Sequence, residues 1–445
     1  MISSEITFQS PRRFVSTCSN TIHDFLLQKN ISVEDILNND ACLRSFRSGN
    51  IEISEYFIKN VNSILDIALR NDNSNTTSRA FNLFSLENRG LINALLQTDL
   101  LQQIAQQILS GHPSLLTLSK YSSILSSCFN IFPSESVKKC RFLEMFYPFC
   151  SYHPVLNLFA QIVKIHDIES QIITFIFDTK LVDHLLDYLN SIADHINENT
   201  DLYVGYFLLI CVFSSRVEIC QYLKQPENLN KIIKHFNILN LYLNNAQWSS
   251  ILNLTDQFTF PFLQSLVPIA IAHISSATTF FHRYHIFCID FLEKCLSISS
   301  DACLSNAYLS YGICQIIKNI FIRFPNNSNA HIHLSKLLKT MLTKQDLSTY
   351  VINEIIPFAC EHIINRENII LSAFSWNLIK IFKETVQSNY VMSAVPNDVK
   401  IQIDIINNLI ENDYGGPAPK TDNPEPGILP QITPEQLLMI FKRFR

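Results

Sequence analysis

Apolar residues recur at intervals of three and four along almost the whole chain, the spacing that places them on one face of an α-helix. No alternating run bounded by hairpin turns stands out, so the pattern predicts no strand. The breaks between helical stretches are short and polar, and Pro with Ser, Asp or Asn stands at many predicted helix starts. The clearest predicted helices cover residues 91–96, 100–109, 181–189, 313–324, 334–342 and 401–410.

Some stretches are apolar on nearly every side, and Tyr203 to Phe213 is the clearest of them. A helix of this kind needs neighbours on both flanks, as the inner helices of a stack have. Roughly twenty helices joined by short links do not form one bundle, whereas antiparallel pairs can stack. The pattern therefore predicts an all-α fold, a curved α-solenoid of degenerate HEAT- or armadillo-like helical hairpins.

The predicted helical-repeat domain covers residues 31–413, and residues 1–30 are expected to form an N-terminal arm and a first helix. The composition changes at Tyr414, where a Pro- and Gly-rich stretch begins. Residues 414–445 are therefore predicted to be a linker followed by a short C-terminal helix that begins near Thr433.

One segment raises the question of a membrane span. Residues 257–282 contain no Asp, Glu, Lys or Arg, and the run is long enough to cross a bilayer. However, it includes Pro261, Pro268 and His273, and no second segment of the kind supports it. We expect a broken, fully buried helix pair and no membrane span.

The composition narrows the function classes. Only 8 glycines occur in 445 residues, which argues against Rossmann folds, P-loop enzymes, β-barrels and propellers. The formal net charge of −5 gives no general attraction to nucleic acid, so no nucleic-acid partner is expected. The 12 cysteines stand singly, and no signal-peptide pattern is present. These features predict a cytoplasmic protein with reduced cysteines, with the nucleus as a second compartment.

Candidate chemistry is sparse. His331 and His333 are two residues apart, which on a helix sends the imidazoles to different faces, so a shared metal ion is not expected. His282 and His285 are better spaced but have no Cys, Asp or Glu at ligand spacing, and a surface or capping role is expected. The common nucleotide, metalloprotease, hydrolase and calcium motifs are missing from the sequence. The sequence therefore predicts a binding protein that is not an enzyme, with no catalytic residue, metal or cofactor.

Two small basic groups occur on predicted helices: Lys138-Lys139…Arg141 and Lys336…Lys339…Lys344. Charge groups of this size usually form the solvated face of a helix. Contact with a phosphate group or an acidic partner is the alternative interpretation.

The stretch from Ile313 to His331 is an amphipathic helix that leads into Phe324-Pro325-Asn326-Asn327. It resembles the signature of SAPS-domain proteins, the regulatory subunits of type-2A-like serine/threonine phosphatases of the protein phosphatase six class. That signature is a helix with a Phe, followed by Pro-Trp-Asn-Asn-Phe-Leu-His. The matching residues are Phe321, Pro325, Asn327 and His331, with Phe324 in the aromatic position before the Pro. The departures are Asn326 for Trp, Ser328 for Asn, Asn329 for Phe and Ala330 for Leu.

Other segments are similar to the family in the same order, so the resemblance extends over residues 31–412; these segments are 36–58, 92–101, 154–159 and 181–211. The resemblance implies a non-catalytic scaffold whose curved helical surface holds a phosphatase catalytic subunit and directs it to substrates. The alternative from the residues alone is an unrelated armadillo-like adaptor, such as a transport or cytoskeletal scaffold.

Within the signature, the polar residues after Pro325 are suited to hydrogen-bonding another chain. Our hypothesis is that Arg323, Asn327 and His331 face the type-2A-like catalytic subunit. The competing interpretation is that Phe321 and its neighbours only close one helical pair.

Overall fold

The structure is a computed structural model of the chain. It describes residues 25–26 and 31–413, except 87, 112, 193–197, 235, 237–239, 300–301, 366–367 and 389–394. The predicted N-terminal arm, apart from residues 25–26, and the predicted linker and C-terminal helix at 414–445 lie outside these residues.

The described part of the chain is all-helical and contains no strand. Its first helices are α1 Val33–Asn38, α2 Asp40–Arg47, α3 Ile51–Lys59, α4 Val61–Ala68, α5 Asn75–Ser85, α6 Arg89–Leu96, α7 Leu100–Leu109, α8 Leu115–Ile131, α9 Pro133–Lys139, α10 His153–Lys164, α11 Glu169–Asp178, α12 Leu181–Ser191 and α13 Thr200–Phe213. There follow α14 Val217–Leu223, α15 Pro226–Ile233, α16 Leu241–Leu254, α17 Phe260–Leu263, α18 Val267–Ser275, α19 Arg283–Ile298, α20 Ala302–Ser310, α21 Ile313–Arg323, α22 Ser328–Leu342, α23 Gln345–Tyr350, α24 Ile356–Asn365, α25 Ile369–Ser388 and α26 Asn397–Asp413. Shorter elements are the 3-10 helices Leu143–Phe149 and Gln264–Leu266 and the π-helix Val351–Ile355.

The helices begin where local signals in the sequence place them. Helix α7 has the predicted bounds, and α9 and α15 begin at Pro133 and Pro226, in agreement with the prediction that Pro marks helix starts. At α1, Ser32 Oγ accepts from the Asp35 N–H at 3.1 Å, and the Asp35 carboxylate accepts from the Ser32 N–H at 3.0 Å. Single capping side chains accept from first-turn N–H groups at further helix starts, among them Asn39, Asn50, Ser74, Asn88, Ser114, Asn240, Asn327 and Asn368. Such bonds satisfy donors that a helix start leaves unpaired, so the boundaries are encoded locally.

The chain divides into two compact units, where the sequence predicts one helical domain over residues 31–413. The first unit contains the residues up to Ile316 together with Ile332–Thr340. The second contains Ile317–His331 and the residues from Met341 onward. The divisions fall inside α21 and α22, not in a Pro- or Gly-rich linker. The boundaries between the two units therefore cannot be predicted from a change in composition.

In the first unit, α8, α10, α13, α16 and α19 form a row in which each helix packs against the next. Helix α13 carries the segment that is apolar on nearly every side, and Tyr203, Tyr206 and Phe207 on it are fully buried. Its neighbours α10 and α16 cover it, as the sequence predicts for an inner helix. A Cβ at Gly205 would overlap the carbonyl group of Cys150, so this close approach of two backbones requires glycine.

Buried or half-buried cationic side chains connect this row to the ends of earlier helices. Lys120 donates to the carbonyl of Arg70 at 3.0 Å, and Lys294 donates to the carbonyl of Leu252 at 3.1 Å. Arg216 makes the same kind of contact at the end of α10. Because the last carbonyls of a helix have no partner within it, each cation satisfies groups that burial would otherwise leave unpaired.

In the second unit, α24 packs against α25 and α26. The buried side chains include Leu378, Ile379 and Phe382 on α25 and Ile406 on α26. Tertiary packing of these apolar faces stabilises the helices.

The charge-free segment 257–282 is broken, as predicted, into α17, a 3-10 turn and α18. The prediction that it is fully buried is wrong, because Phe258 is 76% exposed and Phe280 is 68% exposed. Helix α17 is a single turn and loops flank the segment, so only part of it reaches the core. Within the described residues, no helix is long and apolar enough to cross a membrane.

The described cysteines are all free, and most of them are buried. Burial raises the pKa of Cys128 to about 12 and that of Cys360 to about 11. A thiol with so high a pKa carries almost no thiolate at neutral pH, so these side chains act as small apolar core residues.

Candidate functional site

The signature stretch forms a tight connection between α21 and α22, which we call the motif loop (Phe324–Asn327). Helix α21 ends as the Phe324 N–H donates to the Ile320 carbonyl at 2.9 Å. The Asn327 N–H then donates to the Phe324 carbonyl at 3.0 Å, which closes a four-residue turn. Pro325 occupies the second position of this turn, where its fixed φ is favourable. The loop thus reverses the chain between two helices.

Asn327 starts the second of these helices. Its Oδ1 accepts from the Ala330 N–H at 3.0 Å, the bond of an N-cap residue. Its backbone carbonyl accepts from the His331 N–H at 3.1 Å. The Asn327 side chain is half-buried, and its oxygen is engaged in holding the start of α22.

His331 lies under the motif loop. Its Nε2 is 3.1 Å from the Phe324 carbonyl oxygen, and because a carbonyl only accepts, Nε2 carries the proton in this contact. Nδ1 is then a buried acceptor without a hydrogen-bond partner. The ring packs edge-on against Phe321, with centroids 5.2 Å apart, and lies 4.5 Å from the ring of Phe374 on α25.

Burial lowers the pKa of His331 below its ordinary value, while the hydrogen bond to the Phe324 carbonyl acts in the opposite direction. The imidazole is therefore neutral at neutral pH. A neutral imidazole with one donor engaged and an apolar surround holds the loop together; the arrangement has no neighbouring carboxylate that would make it an acid-base pair.

The three residues predicted to face a partner do not form one exposed surface. Arg323 is exposed at the end of α21 and Asn327 is half-buried. His331 is only 1% exposed, so its side chain offers no surface to another chain. The sequence did contain a signal for this, because Leu334 and Leu338, three and seven positions later, place His331 on the apolar face of α22.

Around the motif loop, the residues that match the SAPS signature and those that depart from it differ in burial and in structural role. Phe321 and His331 are buried, and Asn327 caps α22. Three of the four departures are exposed, namely Asn326, Ser328 and Asn329, whereas Ala330 is fully buried. Together with Arg323, the three exposed departures form what we call the outer face of the loop.

The other candidate histidines have structural partners. His331 and His333 point to different faces of α22, as the spacing predicts, and His333 Nδ1 is 2.5 Å from Asp290 Oδ1. The His282 N–H donates to His285 Nδ1 at 2.9 Å at the start of α19, which is the expected capping role. His285 is not a surface residue, because it is 1% exposed. Among the described residues, no three His, Cys, Asp or Glu side chains are grouped to hold a metal ion.

No protein-family model matches the chain, and no curated protein matches it. Among solved structures, the crystal structure of an engineered protein, target OR497 of the Northeast Structural Genomics Consortium, is similar at a TM-score of 0.46 with 12% identity. The match covers 87% of this chain and 98% of the engineered one. A likeness of this degree carries no argument about function.

Proposed function

We propose that the chain is a non-catalytic regulatory subunit that binds a type-2A-like serine/threonine phosphatase catalytic subunit and directs it to substrates. The proposal starts from the resemblance of Ile313 to His331 to the SAPS signature. One observation supports it above the others: the residues that match the signature are those that hold the motif loop in shape. Phe321 and His331 pack together, and Asn327 caps the next helix.

This observation supports the resemblance because residues that matched by chance would not be expected to share one structural role. A Phe, a Pro, an Asn and a His at these spacings are all used by one turn and its buried imidazole. The departures Asn326, Ser328 and Asn329 lie where a substitution costs little stability, since they are exposed. The resemblance therefore applies to the structural roles of these residues as well as to their identities.

We also propose that the helices form a curved α-solenoid of degenerate HEAT- or armadillo-like hairpins. The row from α8 to α19 supports this, because each helix packs on the next. The recurring cation-to-carbonyl bonds of Lys120, Arg216 and Lys294 support it as well, because one structural device is repeated along the first unit. A stack of this kind offers an extended surface to a partner.

In this proposal the partner contacts the outer face of the motif loop. Arg323 supplies a cation, and Asn326, Ser328 and Asn329 supply amide and hydroxyl groups that can bond a partner backbone. His331 and Asn327 act by holding the loop in position. This assignment differs from our sequence hypothesis, because their side chains are engaged within the chain.

The test is capture of a purified type-2A-like catalytic subunit by the full chain, with the affinity measured by biolayer interferometry. The variant R323A/N326A/N329A should weaken binding by about 2 kcal/mol if these residues form part of a hot spot. The matched control is K380A/E384A, which changes an exposed pair on α25 in the same unit. Both variants should melt like the wild-type chain, because the changed residues are exposed.

Two results would overturn the proposal at different levels. Unchanged affinity in the folded loop variant would show that the partner binds elsewhere on the chain. No binding of the catalytic subunit by the wild-type chain would remove the phosphatase assignment and favour an adaptor with a different partner.

A further inference from the structure

The basic group at Lys138 to Arg141 lies beside a cleft in the first unit. The cleft has a volume of about 340 Å³ and lies between α9 and α11. Lys138 and Arg141 line it, whereas Lys139 between them forms an ion pair with Asp99 at 3.1 Å and is not part of the lining. The sequence gives two interpretations of this group, a solvated helix face or a contact with a phosphate group or an acidic partner, and the cleft favours the second.

The charge of the cleft is not balanced by the residues that the structure describes. Lys138 and Arg141 are exposed, and neither forms an ion pair with a described residue. Among the lining side chains, Asp178 alone is acidic, and it too has no cationic partner in the described part of the chain. Two cations against one carboxylate leave the cleft with a net positive charge.

The lining is also rich in unoccupied hydrogen-bond donors. Ser134, Ser170 and Thr174 line the cleft, and their hydroxyl groups bond no described residue. Ser170 and Gln171 lie in the first turn of α11, a helix of 10 residues whose N-cap, Ile168, has no side chain able to cap it. Their backbone N–H groups thus have no intrahelical partners and lie at the positive end of the helix dipole.

We propose that this cleft binds a phosphorylated serine or threonine side chain in a peptide segment of a partner protein. A phosphoryl group carries a charge near −2 and three strong acceptor oxygens, which matches a cleft lined by two cations and three hydroxyl-bearing side chains. A single carboxylate would leave more of these donors without acceptors.

The shape of the cleft favours a peptide over a free phosphate ion. Phe175, which is buried, and the half-buried Val137 contribute apolar surface to the lining. The volume lies in the range of sites that hold drug-sized ligands, so a phosphate ion alone would leave most of it empty. Asp178 provides an acceptor for a backbone N–H or a basic side chain of the peptide. The inference does not rest on the phosphatase proposal, since it concerns separate residues in the other unit.

The experiment measures retention of the full chain on an immobilised degenerate peptide library with one fixed phosphoserine or phosphothreonine. Two matched libraries carry either the unphosphorylated residue or glutamate at the fixed position. The wild-type chain should be retained on the phosphorylated library only, and K138A/R141A should lower retention about tenfold. The control R44A/R47A removes two exposed arginines at the same spacing on α2 and should be retained like the wild-type chain.

Thermal melting of each variant checks that it is folded, and K138Q/R141Q provides a second variant that keeps polar side chains. Equal retention on the unphosphorylated library, or unchanged retention of both cleft variants, would overturn the site. Equal retention on the glutamate library would overturn its preference for phosphate and leave an acidic-peptide site. A calorimetric titration with inorganic phosphate completes the test, because binding as tight as that of the selected phosphopeptides would overturn the peptide assignment.

Discussion

His331 Nε2 lies 3.1 Å from the carbonyl oxygen of Phe324, seven residues earlier, so the first turn of α22 holds the loop that precedes it. The Asn327 N–H donates to the same oxygen at 3.0 Å. One carbonyl therefore accepts both the turn-closing backbone bond and the imidazole bond. The position of the outer face follows from this pair of bonds.

We expect His331→Ala to lower the free energy of unfolding by about 2–4 kcal/mol, because it removes a buried hydrogen bond and leaves a cavity against Phe321 and Phe374. Equilibrium urea denaturation of the full chain measures this. Asn329→Ala changes an exposed residue of the same turn and should shift stability by no more than about 0.5 kcal/mol. Equal, small effects of the two variants would contradict the structural role of His331.

The chain should lose stability in mild acid through its buried histidines. Burial, with smaller contributions from His282 and His273, lowers the pKa of His285 to about 3. The unfolded chain has a His pKa near 6.5. Between these values the unfolded chain binds a proton that the folded chain does not, so the stabilisation is complete above about pH 6.5 and is lost as the pH falls. Lowered pKa values at His273 and His331 act in the same direction.

His285 should add a slope of about 1.4 kcal/mol per pH unit to the free energy of unfolding between its folded and unfolded pKa values, and His273 and His331 should make the total slope steeper. Denaturation curves at a series of pH values between about 4 and 6 give this slope. His285→Gln keeps an oxygen acceptor for the His282 N–H but does not titrate. It should therefore reduce the slope by up to about 1.4 kcal/mol per pH unit, the value for one proton. An unchanged slope would mean that His285 is protonated in the folded chain.

Gly205→Ala should destabilise the chain by about 1–3 kcal/mol, because its Cβ would meet the backbone of Cys150 and lie 2.9 Å from the Ser151 nitrogen. Gly111→Ala provides the comparison, since nothing lies within 4 Å of a Cβ there. The comparison variant should be neutral or slightly stabilising, because alanine narrows the unfolded ensemble. Differential scanning fluorimetry compares the two, and similar melting temperatures would argue against the close approach.

Arg216→Met should cost about 2–4 kcal/mol, because the buried guanidinium donates to the Val163 carbonyl at 2.5 Å and to the Ile165 carbonyl at 2.8 Å. It also pairs with Glu169. Arg70→Met breaks an exposed pair with Glu34 and should cost less than about 1 kcal/mol. Urea denaturation measures the free energy of unfolding of both variants, and the loss should be clearly larger for Arg216→Met. A small loss at Arg216 would show that water replaces its bonds at the end of α10.

The helix bounds were largely predictable because their causes are local. The period of apolar residues and the capping side chains lie within a few residues of each boundary, and α7 and the proline starts of α9 and α15 follow them. The fully apolar segment on α13 likewise predicted an inner helix, because no arrangement leaves so many apolar faces in water. The prediction of a fully buried 257–282 was wrong, because the absence of charge does not determine which side of a broken helix is covered.

The sequence by itself determined that the described part of the chain is helical, where many of its helices start, and that one loop resembles a family signature. Only the tertiary structure decided what covers the signature residues. The spacing of Leu334 and Leu338 already places His331 on the apolar face of α22, but the ring that covers it, 4.5 Å away, belongs to Phe374, which is distant in the sequence. Lys138 and Ser170 likewise share one cleft because two separate helices pack together. Helix formation and the choice of the apolar face depend on neighbours along the chain, whereas the partners that cover this face, and the sites that separate helices share, depend on contacts between distant segments, which no local pattern specifies.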